Sequence, residues 1–328
     1  VPATLMKKTG MEQSYYQFKN TNGYGHNAKE MYDKAFDKIW KTLTVKKVEL
    51  LNDFIQMMRI IEIEKNTSKV IQHPNNLSSL DAKSFLNDQK RKLGEKEFND
   101  MQKRAREYFN VYQEILDLQL ENGFISQETY DALNGKDYQP RLFIQHALNF
   151  DGELTLDQKS LLNGVKKGLG DNPVKNLDSG SANSLIYNAQ WLLSNSISTL
   201  YQNIADNTLN KLLIEKELPK AQETFDELLT KPENELTIEE KTFIEYFTEF
   251  SEKVKTNEII GFNSENNTPS YKYEVPDKSV AKYYWSDGVK HQFFIESELA
   301  DQFDGKKGAF LNQKNQTPQA HHRSPNFF

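Results

Sequence analysis

The amino-acid sequence predicts a mainly α fold, long antiparallel helices followed by a small C-terminal β-hairpin or sheet subdomain. Apolar residues recur every three or four positions through three long stretches, 28–65, 95–121 and 185–217, the period of helices that each bury one face. From Glu258 onward aromatic and β-branched residues become more frequent. There, Ala281 to Ser286 and Val289 to Ile295 flank the dipeptide Asp287-Gly288, which favours a two-residue hairpin turn because that turn needs positive φ at its centre. Charged residues are 27% of the chain against 37% hydrophobic, with a mean hydropathy of −0.76, which fits elongated helices with much solvated surface and a thin core.

Residues 1–27 hold Gly10, Gly23 and Gly25 with no lasting periodicity, and read as an irregular arm whose Tyr15, Tyr16, Phe18 and Tyr24 dock on a neighbour. Residues 28–150 form a helical hairpin region. Its first helix runs to about Lys65 with an interruption near Thr42 to Val45; a turn through His73-Pro74-Asn75-Asn76 follows, and Ser79 or Asp81 caps the next helix. Phe98, Met101, Ala105, Tyr108, Tyr112 and Ile115 alternate spacings of three and four, a seam too short for an extended coiled coil and suited to an antiparallel hairpin.

That seam ends at a corner, Gly123 to Gln145. Gly123 suits the left-handed position that closes a helix, Ser126 caps a short helix Gln127 to Leu133, Asn134-Gly135 ends it, and Pro140 holds Gln139 extended. Tyr138 and Arg141 leave the corner as packing and carbonyl-capping residues, and Arg141→Ala is expected to loosen the long helices.

A second helical region, 151–257, starts with a short capped helix at Asp151 to Asn163 and a Gly-, Asn- and Ser-rich loop at Gly164 to Ser184. A long helix from Leu185 to about Glu217 follows, ended by Pro219. Ala221 to Lys255 holds one or two acidic helices, one starting at the capped Leu236-Thr237-Ile238-Glu239-Glu240. A β-containing subdomain covers 258–311, and 312–328 is a polar, extended tail.

Charge and composition narrow the chemistry. A formal charge of −6 and a pI near 5.7 exclude an overall field that recruits nucleic acid, so proximity to nucleic acid is allowed but carries no specific signal. The clusters Lys90-Arg91-Lys92 and Lys103-Arg104-Ala105-Arg106 alternate with Glu95, Glu97, Asp100 and Glu107, the pattern of a solvated face with i,i+4 pairs. There is no cysteine, which removes disulfides, thiolate zinc sites and cysteine nucleophiles. No apolar run approaches the roughly 18 residues of a membrane span.

The six histidines, His26, His73, His146, His291, His321 and His322, lack ligand spacing. Gly164, Gly168 and Gly170 lack the Lys-Ser/Thr of a phosphate loop and follow no strand. Ser184 and Asn183 read as helix caps rather than parts of a nucleophile elbow. Glu239-Glu240 has no cleft to shift its pKa values. Asn188, Asn195, Asn203, Asn207 and Asn210 form a stripe that lines a polar groove or hydrogen-bonds packed loops, the second being the commoner use. No catalytic, cofactor-binding or metal-ligating residue is assigned, and no cofactor is implied.

Three features occur in order. The corner Gly123-Phe124-Ile125-Ser126-Gln127-Glu128 with Tyr138-Gln139-Pro140-Arg141 comes first. The Ser/Asn-rich loop before a helix bearing Asn203 and Asn207 comes second. Third is Trp285-Ser286-Asp287-Gly288-Val289-Lys290-His291-Gln292-Phe293-Phe294, with Glu298-Leu299-Ala300 behind it. In this order they resemble the helical region of large polyvalent proteins of tailed phages and mobile elements, over about Glu95 to Gly308. The Asn- and Lys-rich composition, and a start at Val1-Pro2-Ala3 rather than methionine, fit a fragment of a capsid cargo protein of a crAss-like phage.

The resemblance implies a non-catalytic virion cargo or ejection protein, packaged in the capsid or tail lumen and delivered with the genome into the host cytoplasm. Its partners would be other virion proteins of the portal, tail or cargo, with homo-oligomerisation allowed. Two alternatives remain open at this level: a permanent structural virion protein near portal or tail, and an accessory helical domain of a virion enzyme such as an RNA polymerase. The resemblance carries over no catalytic residue.

Overall fold

A computed structural model describes residues 6–19, 22–66, 78–133, 189–263 and 269–300. The chain is mainly helical with a small C-terminal antiparallel sheet. Its helices are α1 (Glu12–Lys19), α2 (Asn22–Ile39), α3 (Val45–Asn66), α4 (Ser79–Leu93), α5 (Glu95–Glu121), α6 (Gln127–Leu133) and α7 (Ala189–Lys211). A π-helical segment (Leu212–Glu217) leads into α8 (Leu218–Leu229), and α9 spans Ile238–Lys253. The strands are β1 (Val254–Asn257), β2 (Ile259–Phe262), β3 (Pro269–Tyr271), β4 (Ser279–Ser286) and β5 (Val289–Glu296).

Local chemistry sets the reversals. α2 gives way to α3 through Thr42, whose φ of 74° breaks the helical path at the interruption expected there. Arg104 on α5 then caps the end of α2, its Nη1 donating to the carbonyls of Ile39 at 2.9 Å and Lys41 at 3.1 Å. The N-cap of α4 is Ser78, not Ser79: its hydroxyl accepts from the Asp81 amide, and the Asp81 carboxylate accepts from the Ser78 amide. Asp81 is thus the reciprocal partner in a capping box rather than the cap. Gly94, at φ 76°, joins α4 to α5 as a one-residue hinge.

The buried residues form two clusters. The helical core joins Ala35, Ile39 and Trp40 with Leu51, Phe54 and Ile55 of α3, Ala82 and Leu86 of α4, the α5 seam from Phe98 to Ile115, and Leu193, Ile197, Leu200 and Ile204 of α7. Every residue expected in that seam, Phe98, Met101, Ala105, Tyr108, Tyr112 and Ile115, is buried. The C-terminal core joins Met6, Met11 and Tyr15 with Leu213 and Ile214 of the π segment, Phe250 of α9, Val254 of β1, and Tyr284, Phe293, Ile295, Leu299 and Ala300. Packing therefore cuts across the division into 28–150 and 151–257, because α7 belongs to the same core as α2 to α5.

Several expectations are corrected. The arm is not irregular: it holds α1 and the start of α2, and Met6 and Met11 are fully enclosed. Docking into the C-terminal core overrides the weak local periodicity and the glycines. Pro219 does not end the long helix. The Leu218 amide bonds the Leu213 carbonyl across a widened π turn, and α8 begins there with Pro219 in its first turn, where a missing N–H costs little. Strand structure starts at Val254, before Glu258. The His73-Pro74 turn, the corner beyond Leu133, the 151–163 helix, the 164–184 loop and the 312–328 tail lie outside the described residues.

Strand order in the larger sheet is β1-β5-β4, all antiparallel, with Val254 opposite Ile295 and Ser286 opposite Val289; β2 and β3 form a separate ribbon. Phe293 and Ile295 point into the C-terminal core, while Gln292 on the other face bonds Asn257 and the Tyr283 hydroxyl. Central strand β5 is covered on both faces. The outer edge of β4 has no strand partner among the described residues and meets α7 instead.

Candidate functional site

The motifs singled out in the sequence converge at the contact between α7, the corner after α5 and the β4–β5 turn. α5 ends at Asn122, and Gly123 at φ 73° turns the chain out of the helix, as its position predicts. The hairpin turn places Asp287 at φ 49° and Gly288 at φ 75°, so both central residues are left-handed. The two glycine turns are stapled together by the Gly288 amide, which donates to the Gly123 carbonyl at 3.1 Å.

The approach leaves no room for a side chain. A Cβ on Gly288 would lie 2.7 Å from the Ser126 amide nitrogen, and one on Gly123 would lie 3.3 Å from that of Asp287. Glycine is needed here twice over, for the backbone angle and for the close approach. Ser126 in turn caps α6, its Oγ accepting from the Thr129 amide at 3.2 Å.

Asn207 locks this junction from α7. Its Oδ1 accepts from the Trp285 amide at 2.6 Å, and its Nδ2 donates to the carbonyls of Asn122 at 2.8 Å and Trp285 at 3.1 Å. One turn on, Asn210 Nδ2 donates to the Tyr283 carbonyl at 2.9 Å. Two amides on one face of α7 thus satisfy backbone groups of a β4 edge that no strand covers among the described residues. This is the loop- and backbone-bonding use of the Asn stripe; Asn188 lies outside the described residues.

A groove of about 430 Å³ lies on another face, between α2, α5 and α7, lined by Glu30, Lys34, Lys38, Glu114, Asp117 and Tyr201 among others. Part of its charge is already committed. Glu30 pairs with Lys34 at 2.7 Å, and Asp117 accepts from Gln113 and from the Tyr130 hydroxyl. Burial, then Glu114 and Glu30, raises the Tyr201 phenol above its ordinary pKa, so it remains a neutral donor at the groove wall.

The remaining candidates separate. His26 is exposed, and His291 stacks on Tyr284 with centroids 4.9 Å apart. His73, His146, His321, His322, Tyr138, Arg141, Asn183, Ser184, Gly164, Gly168 and Gly170 lie outside the described residues. Glu240 is spent in the Thr237 capping box and on Lys231 at 2.6 Å. Arg91 pairs with Asp88, and Arg104 with Asp100, both at 2.8 Å. Among the described residues no group of three His, Asp or Glu is placed to hold a metal ion, and no helix is long and apolar enough to cross a membrane.

Sequence reasoning missed three residues. Arg104 performs the helix-capping role expected of Arg141. Glu217, in the π segment, accepts from the amides of Gln13 and Ser14, both at 2.9 Å, and so caps α1 from about 200 residues away. Arg59 sits in the helical core at 7% exposure. A polar residue recurring inside an apolar stripe was the available signal for Arg59; the long-range partner of Glu217 left none. The chain matches no family model, no curated protein and no solved structure, so its functional reading rests on its sequence and this geometry.

Proposed function

We propose that this chain is a virion component of a tailed phage, a cargo or ejection protein packaged in the capsid or tail lumen and delivered to the host cytoplasm with the genome. In it, this region serves as scaffold and docking body for portal, tail or other cargo proteins, and not as the seat of a reaction. The observation that supports the reading is the convergence of Gly123, Asn207 and Asp287-Gly288. Motif segments that carry the resemblance meet in one clasp, where their polar groups are spent on holding backbone. Motifs used this way mark an architecture rather than a chemistry.

Delivery through a tail requires substantial unfolding of a body whose compact radius of gyration would be about 20 Å. The α3–α4–α5 part of the helical core suits that demand, because those helices follow one another in sequence and such contacts re-form quickly. The experiment is quantitative mass spectrometry of filled particles, emptied particles and newly infected cells before phage translation. The protein is expected in filled particles, depleted from emptied ones and present in the cells. Full retention in emptied particles would overturn ejection and make the chain a permanent structural part. A body still attached to a polymerase-sized partner would make it an accessory domain of a virion enzyme.

A further inference from the structure

Both edges of the larger sheet are guarded, and the β2 edge of the smaller one is not. β4 is met by Asn207 and Asn210, and β1 is only 4 residues long, with Lys255 and Thr256 exposed, a short charged edge that discourages further pairing. β2 has neither protection. It reads Ile259-Ile260-Gly261-Phe262, without charge or proline, pairs only with β3 among the described residues and has no buried residue. Ile260 is 64% exposed and Phe262 49%, with Tyr273 and Val275 also exposed just beyond β3. A two-stranded ribbon is marginal in water by itself, and an uncharged apolar edge is a template for another strand.

Pairing with β3 fixes which backbone groups that edge offers. The Lys272 amide donates to the Glu258 carbonyl at 2.9 Å, so Glu258 turns its polar groups towards β3 and Ile259 turns its own outwards. A register shift between Ile259 and Gly261 inserts Ile260 as an extra residue, with Gly261 opposite Ser270. The outward direction therefore returns at Phe262, opposite Pro269, which has no N–H to give β2.

We propose that β2 is a homodimer edge, pairing antiparallel with β2 of a second copy of this chain about a two-fold axis. In that register Ile259 faces Phe262 of the second copy and Phe262 faces its Ile259, so both residues exchange their outward N–H and C=O groups. Ile260 falls opposite Gly261 of the second copy, where nothing lies within 4 Å of the missing Cβ. No like charges meet: the flanking carboxylate of Glu258 is paired with Lys272 at 2.7 Å and stands across from Asn263 of the second copy. This match of the strand with itself favours a second copy over an unrelated peptide, and it joins two ribbons into one four-stranded sheet. The inference is independent of the virion reading, since it follows from the β2 edge whatever the chain is packaged with.

The test is sedimentation equilibrium of the full chain over a concentration series, with hydrogen exchange followed at the lowest and highest concentrations. So small an interface should give a weak dimer, with a Kd on the order of 10–100 μM, and exchange of the Ile259 and Phe262 amides should slow as the dimer fills. Ile259→Pro removes an N–H that β3 does not use; it should weaken dimerisation by about tenfold or more while the melting temperature of the dilute monomer holds. Phe262→Lys, which sets a charge beside Ile259 of the second copy, should weaken it similarly. Leu229→Lys, at an apolar residue of α8 that is 59% exposed, should leave it unchanged. A wild type that stays monomeric up to about 500 μM would overturn the dimer. Slow Ile259 exchange in such a monomer would assign the edge to another part of the same chain instead. Dimers that both β2 variants leave intact, or open-ended oligomers in place of a two-fold dimer, would overturn it as well. If Ile259→Pro does not fold, Phe262→Lys and the wild-type exchange data decide by themselves.

Discussion

The helical core is assembled from segments that mostly follow one another along the chain, whereas the C-terminal core closes only when residues from both ends meet. In the first, α2 to α5 follow one another in sequence, with α4 meeting α5 at the single residue Gly94, and α7 arrives from a distance. In the second, Met6, Met11 and Tyr15 pack against Leu213, Phe250, Phe293 and Leu299. Closing so long a loop costs conformational entropy before any contact forms. The helical core can therefore form from neighbours, while the C-terminal core needs specific latches, and Glu217 and the Asn207 clasp are those latches. The π segment lies between the two, carrying the α7 rod from one core into the other.

The most severe test of this division is Phe54→Ala. Phe54 is fully buried, with its ring 5.5 Å from Phe98 and 6.2 Å from Phe85, so truncation should cost about 3–5 kcal/mol. Hydrogen exchange should accelerate across α3 to α5 while β5 amides keep most of their protection. Equal loss in β5 would mean that the clasp fuses the two cores into one cooperative unit.

Next in size is Gly288→Val, which puts a β-branched residue at φ 75° with its Cβ 2.7 Å from the Ser126 nitrogen. Strain and overpacking together should cost about 3 kcal/mol, read by urea denaturation and by faster proteolysis of the hairpin. Gly10→Ala is the control. It has a similar φ of 74° but nothing within 4 Å of the added carbon, so only about 1 kcal/mol of backbone strain is expected. Equal effects at the two glycines would show that close approach contributes nothing and that the clasp is not tight.

The same contrast explains what was legible in the sequence. Helix periodicity predicted the α5 seam, and local turn chemistry predicted Gly123, the Ser126 cap, the Thr237 cap and the Asp287-Gly288 hairpin, because each depends on residues a few positions apart. The α1 helix was missed: its burial comes from partners some 200 residues away, and three glycines conceal a helical pattern. Pro219 misled because a π turn moved the point at which its absent N–H matters. The clasp was visible as separate motifs, yet nothing in a one-dimensional reading places Gly123 beside Gly288. Arg104 reads in the sequence as part of a solvated face, and only the fold reveals that it reaches the carbonyls of Ile39 and Lys41.

A smaller effect is expected from Glu217→Gln, which removes the charge facing the amides of Gln13 and Ser14 while keeping one acceptor oxygen. The loss should be about 1–2 kcal/mol, confined to the arm. Limited proteolysis should release the first 20 or so residues faster, with α3 to α5 unchanged. If the arm stays resistant, burial of Met6 and Met11 alone holds it, and the latch is dispensable.

The smallest effect concerns pH and separates the two cores by titration rather than by truncation. His291 lies on β5 against Tyr284, and burial, the largest influence, holds its pKa below the ordinary 6.5, with Glu215 opposing and Lys211 adding a smaller push downward. A histidine whose folded pKa is depressed is neutral in the fold while the unfolded chain takes up a proton. Its contribution is therefore complete above 6.5 and is lost as pH falls from 6.5 through the lower folded value. Thermal melts between pH about 7.5 and about 5 should show the C-terminal core weakening on acidification, with the helical core level over the same range. His291→Phe keeps a ring for stacking and should flatten the profile. The capping carboxylates Asp81 and Glu240 also have lowered pKa values, the first through its hydrogen bonds to Ser78 and the second through Lys231. Their contributions fade only below the unfolded values of 3.8 and 4.5, so they leave the histidine window clear. A wild-type profile that is flat from 7.5 to 5, or one that His291→Phe leaves unchanged, would remove the histidine as the source of any pH contrast between the cores.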